Sequence, residues 1–236
     1  MNVSGKKAVV FGGTSGIGLA AAKMLAQEGA SVVAISRDPS KSGPLPAGVT
    51  TKSCDVRDAA AVEALLNEIG PIDILVSAAT GGKRAIGPFV EMDMDGFKGS
   101  FEKLWGYANV VRLGASHMND GGSITLLSGS PARKFPENLS ALSSVGGAVE
   151  ALVRAVAKEI APRIRINVVS PGLIDTPMHV QGDEAKRAEN FNNMTKGNLI
   201  PRAGTADEVA QGVMFVIKND FVTGTIIDVD GGSLLS

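Results

Sequence analysis

Seven residues near the N-terminus, Gly12-Gly13-Thr14-Ser15-Gly16-Ile17-Gly18, have the types and spacing to hold the phosphates of a dinucleotide. They follow the apolar run Ala8-Val9-Val10-Phe11 and open a helical pattern from Leu19 to Glu28. Strand, glycine-rich turn and helix in that order is the arrangement that binds a dinucleotide. Gly12 lets the chain leave the strand in a tight turn, and Gly16 removes a side chain where a pyrophosphate must approach the backbone. Gly18 lets the helix lie close to the sheet. The helix N-terminus offers unpaired N–H groups and a partial positive charge to the phosphates. The spacing is Gly-x-x-x-Gly-x-Gly rather than the commoner Gly-x-Gly-x-x-Gly, and a strand-to-helix turn without a ligand is the plain alternative. A buried strand before the turn and two hydroxyl residues inside it favour the ligand.

The end of the second strand bears on which dinucleotide. A carboxylate there would bind both ribose hydroxyls of NAD and repel a 2′-phosphate. Here the strand ends in Ser36, followed by Arg37. A hydroxyl and a guanidinium suit the phosphate of NADP. Lys41 adds a second cation, and Asp38 argues the other way. The expected cofactor is NADP(H) in preference to NAD(H). Tyr107, the only tyrosine, lies four residues after Lys103 on the same helical face, either as half of a Lys–Tyr pair or as an aromatic packed between helices. His179, in the loop after Pro177, reads as a solvated histidine, and His117 as a charge partner for a helix C-terminus. Asp228 and Asp230 alternate along the last strand and its turn, and no metal-ligand cluster is present.

The elements that must position these residues alternate. Strands are expected at Ala8–Phe11, Ala30–Ser36, Val49–Ser53, Ile72–Val76, Ser123–Ser128, Ile164–Val169 and Thr225–Val229. Helices are expected at Leu19–Glu28, at Ala59–Ile69 capped by Asp58, at about Met94–Met118 ended by Gly121-Gly122, at Ser140–Ile160, and at Ala206–Ile217 capped by Thr205. Residues 37–48 read as loop, and Pro171 to Pro201 as an irregular stretch with one short helix. This alternation predicts a single α/β domain over residues 1–236, doubly wound around a seven-stranded parallel sheet covered on both faces. Ligands in such sheets bind at the C-terminal strand ends. The glycine turn, Asp55, Ser77 to Thr80, Ser128 and Pro171-Gly172 all fall there.

The 236 residues suffice for one domain with a sizeable core, and 44% hydrophobic with 20% charged residues excludes disorder as the main state. A net charge of −1 without a basic block gives no reason to expect nucleic acid. The single cysteine, Cys54, cannot form an internal disulfide, which fits a reducing compartment. The N-terminus enters a strand at once without a signal peptide, and no apolar run approaches the length of a membrane span. The expectation is a cytoplasmic protein with no membrane partner.

On these motifs the sequence resembles the short-chain dehydrogenase/reductase family over nearly its whole length. Gly12 to Gly18 looks like the family's cofactor turn, and Cys54-Asp55-Val56 like its Asp-Val pair at the adenine ring. Ser77-Ala78-Ala79-Thr80 stands where the family has Asn-Asn-Ala-Gly. Asn167 to Gly172, with Ile174 and Thr176, resembles its nicotinamide-side segment. Ile200-Pro201-Arg202, Glu208-Val209-Ala210, Phe221 to Gly224 and Val229 to Gly232 resemble its C-terminal signature. The resemblance implies cofactor contacts at Gly12, Thr14, Ser15, Gly16, Ile17, Gly18, Ser36, Arg37, Asp55, Val56, Ser77, Ala78, Ala79, Pro171, Gly172, Ile174 and Thr176. It also implies a small-molecule substrate and a homo-tetramer or homo-dimer formed through the long helices.

The resemblance breaks at the catalytic centre. The family carries Tyr-x-x-x-Lys on the helix after the fifth strand, where the lysine lowers the tyrosine's pKa. Aligned on Gly147-Ala148-Val149-Glu150, those positions hold Leu142 and Gly146, and neither can relay a proton. The family's serine falls near Gly129, between Ser128 and Ser130, and its helix asparagine falls on Lys103. Either the hydride chemistry was lost or the site was rebuilt. In a rebuilt site Lys103 is the acid–base candidate, reaching into room left by Gly146, and Ser128 would hold a carbonyl oxygen. Two main readings follow. One is an NADP(H)-dependent oxidoreductase for a small carbonyl or alcohol with an atypical relay; the other is a cofactor-binding protein without turnover, a sensor or assembly subunit. A non-redox lyase or epimerase that keeps the cofactor is a third.

Overall fold

A computed structural model of the chain describes residues 1–80, 82–179 and 183–236. In chain order the elements are β1 (Lys7–Phe11), α1 (Gly16–Gln27), β2 (Ser31–Ser36), β3 (Val49–Ser53), α2 (Ala59–Ile69), β4 (Ile72–Ser77), α3 (Met94–Ser100), α4 (Glu102–His117) and β5 (Met118–Leu127). There follow α5 (Pro131–Lys134), α6 (Ser140–Ile160), β6 (Ile164–Pro171), β7 (Ile174–Asp175), α7 (Glu184–Thr195), β8 (Gly204–Thr205), α8 (Ala206–Lys218) and β9 (Ile226–Val229). Seven strands form one parallel sheet, as the alternating pattern predicts, and their order is β3-β2-β1-β4-β5-β6-β9; β7 and β8 pair separately.

Because successive strand residues face opposite sides, β1 feeds two cores. Val9 and Phe11 join Leu66, Tyr107, Val110, Val149 and Val153 under α2, α4 and α6. Ala8 and Val10 join Ala21, Leu25, Val209, Val213 and Ile217 under α1 and α8. The strand order reverses between β1 and β4, so the crevice at the C-terminal edge opens beside the glycine turn. Asp58 accepts from the Ala61 N–H and caps α2, and Thr205 and Glu208 form a capping box on α8.

Several boundaries depart from the expectation. The long helix over 94–118 breaks at Phe101 into α3 and α4. The Ser100 hydroxyl turns back onto the Gly96 carbonyl (3.0 Å) and accepts the Ala85 N–H (2.8 Å), so the chain bends where it is tied to the preceding loop. Gly121-Gly122 does not end α4, which stops at His117; both glycines lie within the longer β5. The loop over 37–48 contains a 3₁₀ turn at Pro39–Lys41, and α5 was not legible. The expectation that no apolar run reaches the length of a membrane span is corrected by α6, which is long and apolar enough to cross one. Here its apolar face, with Val145, Val149 and Val153, is buried against the sheet.

Candidate functional site

The glycine turn forms a cradle at the crevice. Gly12 has φ +76°, and a Cβ there would come within 2.8 Å of the Ala78 carbonyl carbon and the Ala79 nitrogen. The turn is therefore pressed against the end of β4, where the Ala78 N–H donates to the Phe11 carbonyl at 2.8 Å. A Cβ on Gly18 would overlap the Gly12 carbonyl oxygen, so the helix starts against the turn's own backbone. Gly16, at φ +50°, faces the Thr176 side chain across the crevice, 3.5 Å from where its Cβ would lie. Ser15 occupies the N-cap position of α1 without a side-chain bond, Thr14 is buried beside it, and the first turn carries no acid. Those N–H groups are left for an external anion. Ile17 packs from α1 onto the α1–α8 core.

At the far end of the crevice the Ser36 hydroxyl is buried without a partner. Arg37 follows it and makes no ion pair among the described residues. Asp38, the residue that argued against a phosphate, is turned away: it caps the 3₁₀ turn through the Ser40 N–H and pairs with Lys41 at 3.0 Å. Lys41 is thereby neutralised as well. An orphaned hydroxyl beside an unpaired guanidinium fits a phosphorylated ribose. The Asp55 carboxylate is gripped by Arg57, at 2.6 Å, which holds its pKa down to about 2. Val56 is buried against Gly106 of α4. The opposite wall comes from Pro171, whose carbonyl accepts the Ser130 N–H, and from Gly172, where a Cβ would meet Asp230 at 2.8 Å. Ile174 and Thr176 are buried behind them, and Ser77 lies fully buried at the end of β4 with its hydroxyl unpartnered.

The two catalytic candidates meet. Lys103 Nζ donates to the Ser128 carbonyl at 3.1 Å and lies 5.5 Å from the centre of the Tyr107 ring. Burial first, then the charge of Arg84, lowers the Lys103 pKa to about 8. The Ser128 hydroxyl donates to Glu150 at 3.0 Å, so its proton is committed below the crevice. Glu150, buried on α6, also accepts from Arg133 Nε, and Arg133 pairs in turn with Asp228.

Other candidates are resolved structurally. Tyr107 is fully buried, its hydroxyl donates to the Leu127 carbonyl at 3.2 Å, and burial raises its pKa. His117 bonds the Leu113 carbonyl and Asn67 at the end of α4. Asp230 accepts from the Gly232 and Leu234 N–H groups. Among the described residues no His, Cys, Asp and Glu group could hold a metal. Gly146 does not open space for Lys103: a Cβ there would meet Ala132 at 2.8 Å, because α5 fills that volume. Sequence reasoning passed over Glu150, Arg133 and Arg84. Glu150 had a signal, as a carboxylate eight residues after Leu142 on the buried face of α6. Arg84 had none, lying in a loop without periodicity.

A family model described as enoyl-(acyl carrier protein) reductase matches residues 12–233. The L-xylulose reductase of Bos taurus is 29% identical over 246 residues, covering 99% of this chain and 98% of its own. The 3-oxoacyl-(acyl-carrier-protein) reductase FabG of Thermotoga maritima is 30% identical over 256 residues, covering 100% of both chains. A solved small-chain dehydrogenase in complex with NADPH superposes with a TM-score of 0.83 at 31% identity, covering 99% of this chain and 100% of that one. With likeness running from the glycine turn through the C-terminal strand, on a sheet of this order and a cradle of this geometry, the chain belongs to the short-chain dehydrogenase/reductase family.

Proposed function

We propose that the protein is an NADP(H)-dependent oxidoreductase for a small carbonyl or alcohol, in which Lys103 does the proton work usually given to a tyrosine. The observation that carries the reading is the inward turn of Lys103. Its ammonium is fixed on the Ser128 carbonyl at the C-terminal edge of β5, where ligands of such sheets sit. The cradle from Gly12 to Gly18 would hold the pyrophosphate, Ser36 and Arg37 the 2′-phosphate, and Pro171 to Thr176 the nicotinamide side. The nicotinamide, when bound, supplies or accepts the hydride. The N–H bonds of Lys103 not used on Ser128 would be available to the reacting oxygen. In reduction one of these protons passes to the carbonyl oxygen as the alcohol forms, and the neutral amine recovers a proton from solvent; oxidation runs the same transfer backward. Ser128 acts through its carbonyl, which aims the ammonium, while Glu150 holds its side chain.

The named relatives support a reductase. L-xylulose reductase and 3-oxoacyl-(acyl-carrier-protein) reductase both carry reduction of a carbonyl compound in their names. One observation favours a second reading, a cofactor-binding protein without turnover: with its proton on Glu150, the Ser128 hydroxyl cannot also donate to a substrate oxygen. The deciding experiment is NADPH consumption against a panel of aldehydes and ketones, with wild type and Lys103→Ala side by side. Turnover that depends on Lys103 supports the oxidoreductase; tight NADPH binding without turnover on any carbonyl supports the second reading. The reading includes a homo-dimer or homo-tetramer joined through α4 and α6, where Trp105 of α4 is 67% exposed.

A further inference from the structure

We infer that Arg57 is a positioning residue for the adenine base of the cofactor, fixing Asp55 so that one carboxylate lone pair is left for the amino group of the base. This rests on the NADP(H) reading above for where the cofactor lies. Asp55 follows β3, whose end is joined to the end of β2. The Cys54 N–H donates to the Ser36 carbonyl at 3.0 Å, and the Ser53 hydroxyl donates to the Arg37 carbonyl at 2.9 Å. A ribose phosphate held by Ser36 and Arg37 therefore brings its base beside Asp55.

Arg57 takes up most of that carboxylate. Its backbone N–H donates to Oδ1 at 3.0 Å, its Nε to both oxygens at 3.0 and 3.1 Å, and its Nη2 to Oδ2 at 2.6 Å. A carboxylate offers about four acceptor sites, so Oδ1 is filled and one site stays open on Oδ2. The remaining arm of the fork, Nη1, donates to Glu102 in the first turn of α4 at 2.8 Å. Two more residues of α4 hold the same segment. Asn109 donates to the Val56 carbonyl at 3.0 Å, and a Cβ on Gly106 would come within 2.5 Å of the Val56 Cγ2. Glu102, Gly106 and Asn109 are spaced four and three residues apart, on one helical face. A lone exposed ion pair contributes little, but a bidentate pair on a backbone held at three points fixes direction. Asp55, Arg57 and Glu102 also line a hollow of about 340 Å³, so the carboxylate borders open space. The hydrogen bond from Arg57 keeps Asp55 ionised, with its pKa down to about 2. An ionised carboxylate accepts the amino hydrogen of adenine and repels the oxygen that hypoxanthine carries in its place.

The test is binding rather than turnover. The protein is titrated calorimetrically with NADPH and with its hypoxanthine counterpart, reduced nicotinamide hypoxanthine dinucleotide phosphate. NADPH should bind about tenfold or more tightly, as for one charge-assisted bond. Arg57→Leu should bring that ratio below about threefold, and Arg57→Lys should keep part of it, because an ammonium cannot hold both carboxylate oxygens in one plane. Glu102→Gln, which weakens only the far anchor, should give an intermediate ratio, and it carries the comparison if Arg57→Leu does not fold. The ratio of NADPH to NADH binding, read by Ser36 and Arg37, should stay near its wild-type value in all three variants, which general loosening of the site would not allow. Equal binding of the two bases by wild type, an undiminished ratio in folded Arg57→Leu, or a parallel loss of the NADPH-to-NADH ratio would overturn the inference. Failure of the parent reading looks different: the base ratio holds, but no carbonyl is reduced.

Discussion

Lys103 Nζ lies 3.1 Å from the Ser128 carbonyl oxygen, so a lysine on α4 is held by the backbone that ends β5. Among the described residues no carboxylate anchors it. Its other N–H bonds have no partner among the described residues, and burial, then the charge of Arg84, lowers its pKa to about 8. That combination suits a group that gives and takes a proton near neutral pH.

Lys103→Met should lower the reduction rate by about 10²–10⁴ and leave NADPH affinity nearly intact, the scale for losing an acid–base group. In wild type, reduction needs the protonated amine, so its rate should decline as pH rises through about 8, while alcohol oxidation should rise across the same window. Stability moves with the same group. The folded pKa lies below the ordinary 10.5, so wild type loses stability as pH falls from 10.5 to about 8 and stays at that lower level below it. The stability gained in Lys103→Met should therefore be largest below pH 8. A flat pH–rate profile between pH 6 and about 10 would count against the role.

Arg37→Asp should reverse much of the preference for NADPH over NADH. The guanidinium makes no ion pair among the described residues, and a lost charge-assisted contact to the 2′-phosphate is worth about 1.5–3 kcal/mol. Fluorescence titrations of both cofactors against both proteins read this directly. Equal affinities in wild type would remove the basis for the assignment.

Gly16→Val should abolish cofactor binding. Its φ of +50° disfavours a branched side chain, and that side chain would project into the gap before Thr176. The strain is of order 1–3 kcal/mol, so the variant's folding must be checked by circular dichroism. Wild-type NADPH affinity in a folded variant would contradict the placement of the pyrophosphate.

Installing a Tyr-x-x-x-Lys pair with Leu142→Tyr and Gly146→Lys should destabilise the protein. A side chain at Gly146 meets Ala132 of α5, and over-packing of this kind costs about 1–3 kcal/mol. Urea unfolding of the double variant should show that loss. A double variant as stable as wild type would show that α5 moves aside freely.

Trp105→Glu should lower the molar mass measured by light scattering at micromolar concentration, because a charge would enter the face assigned to subunit association. Wild-type protein that is already monomeric would refute the assembly.

The sequence determined the doubly wound parallel sheet and the glycine turn, because both follow from local rules. Apolar strands alternating with amphipathic helices admit one covered parallel sheet, and the turn at Gly12 to Gly18 needs glycine for reasons internal to the turn. The α2 and α8 boundaries were legible because Asp58 and Thr205 cap them from neighbouring positions. What depended on distant chain was not legible. The break at Phe101 arises because Ser100 bonds a loop fifteen residues away. Gly146 looked like open space and is the seat of α5. Asp38 looked like a competitor for the ribose and is occupied by its own turn and Lys41. Above all, whether Lys103 faced solvent or the crevice was open in the sequence. The tertiary structure decided it, because only the folded chain brings the Ser128 carbonyl to the ammonium.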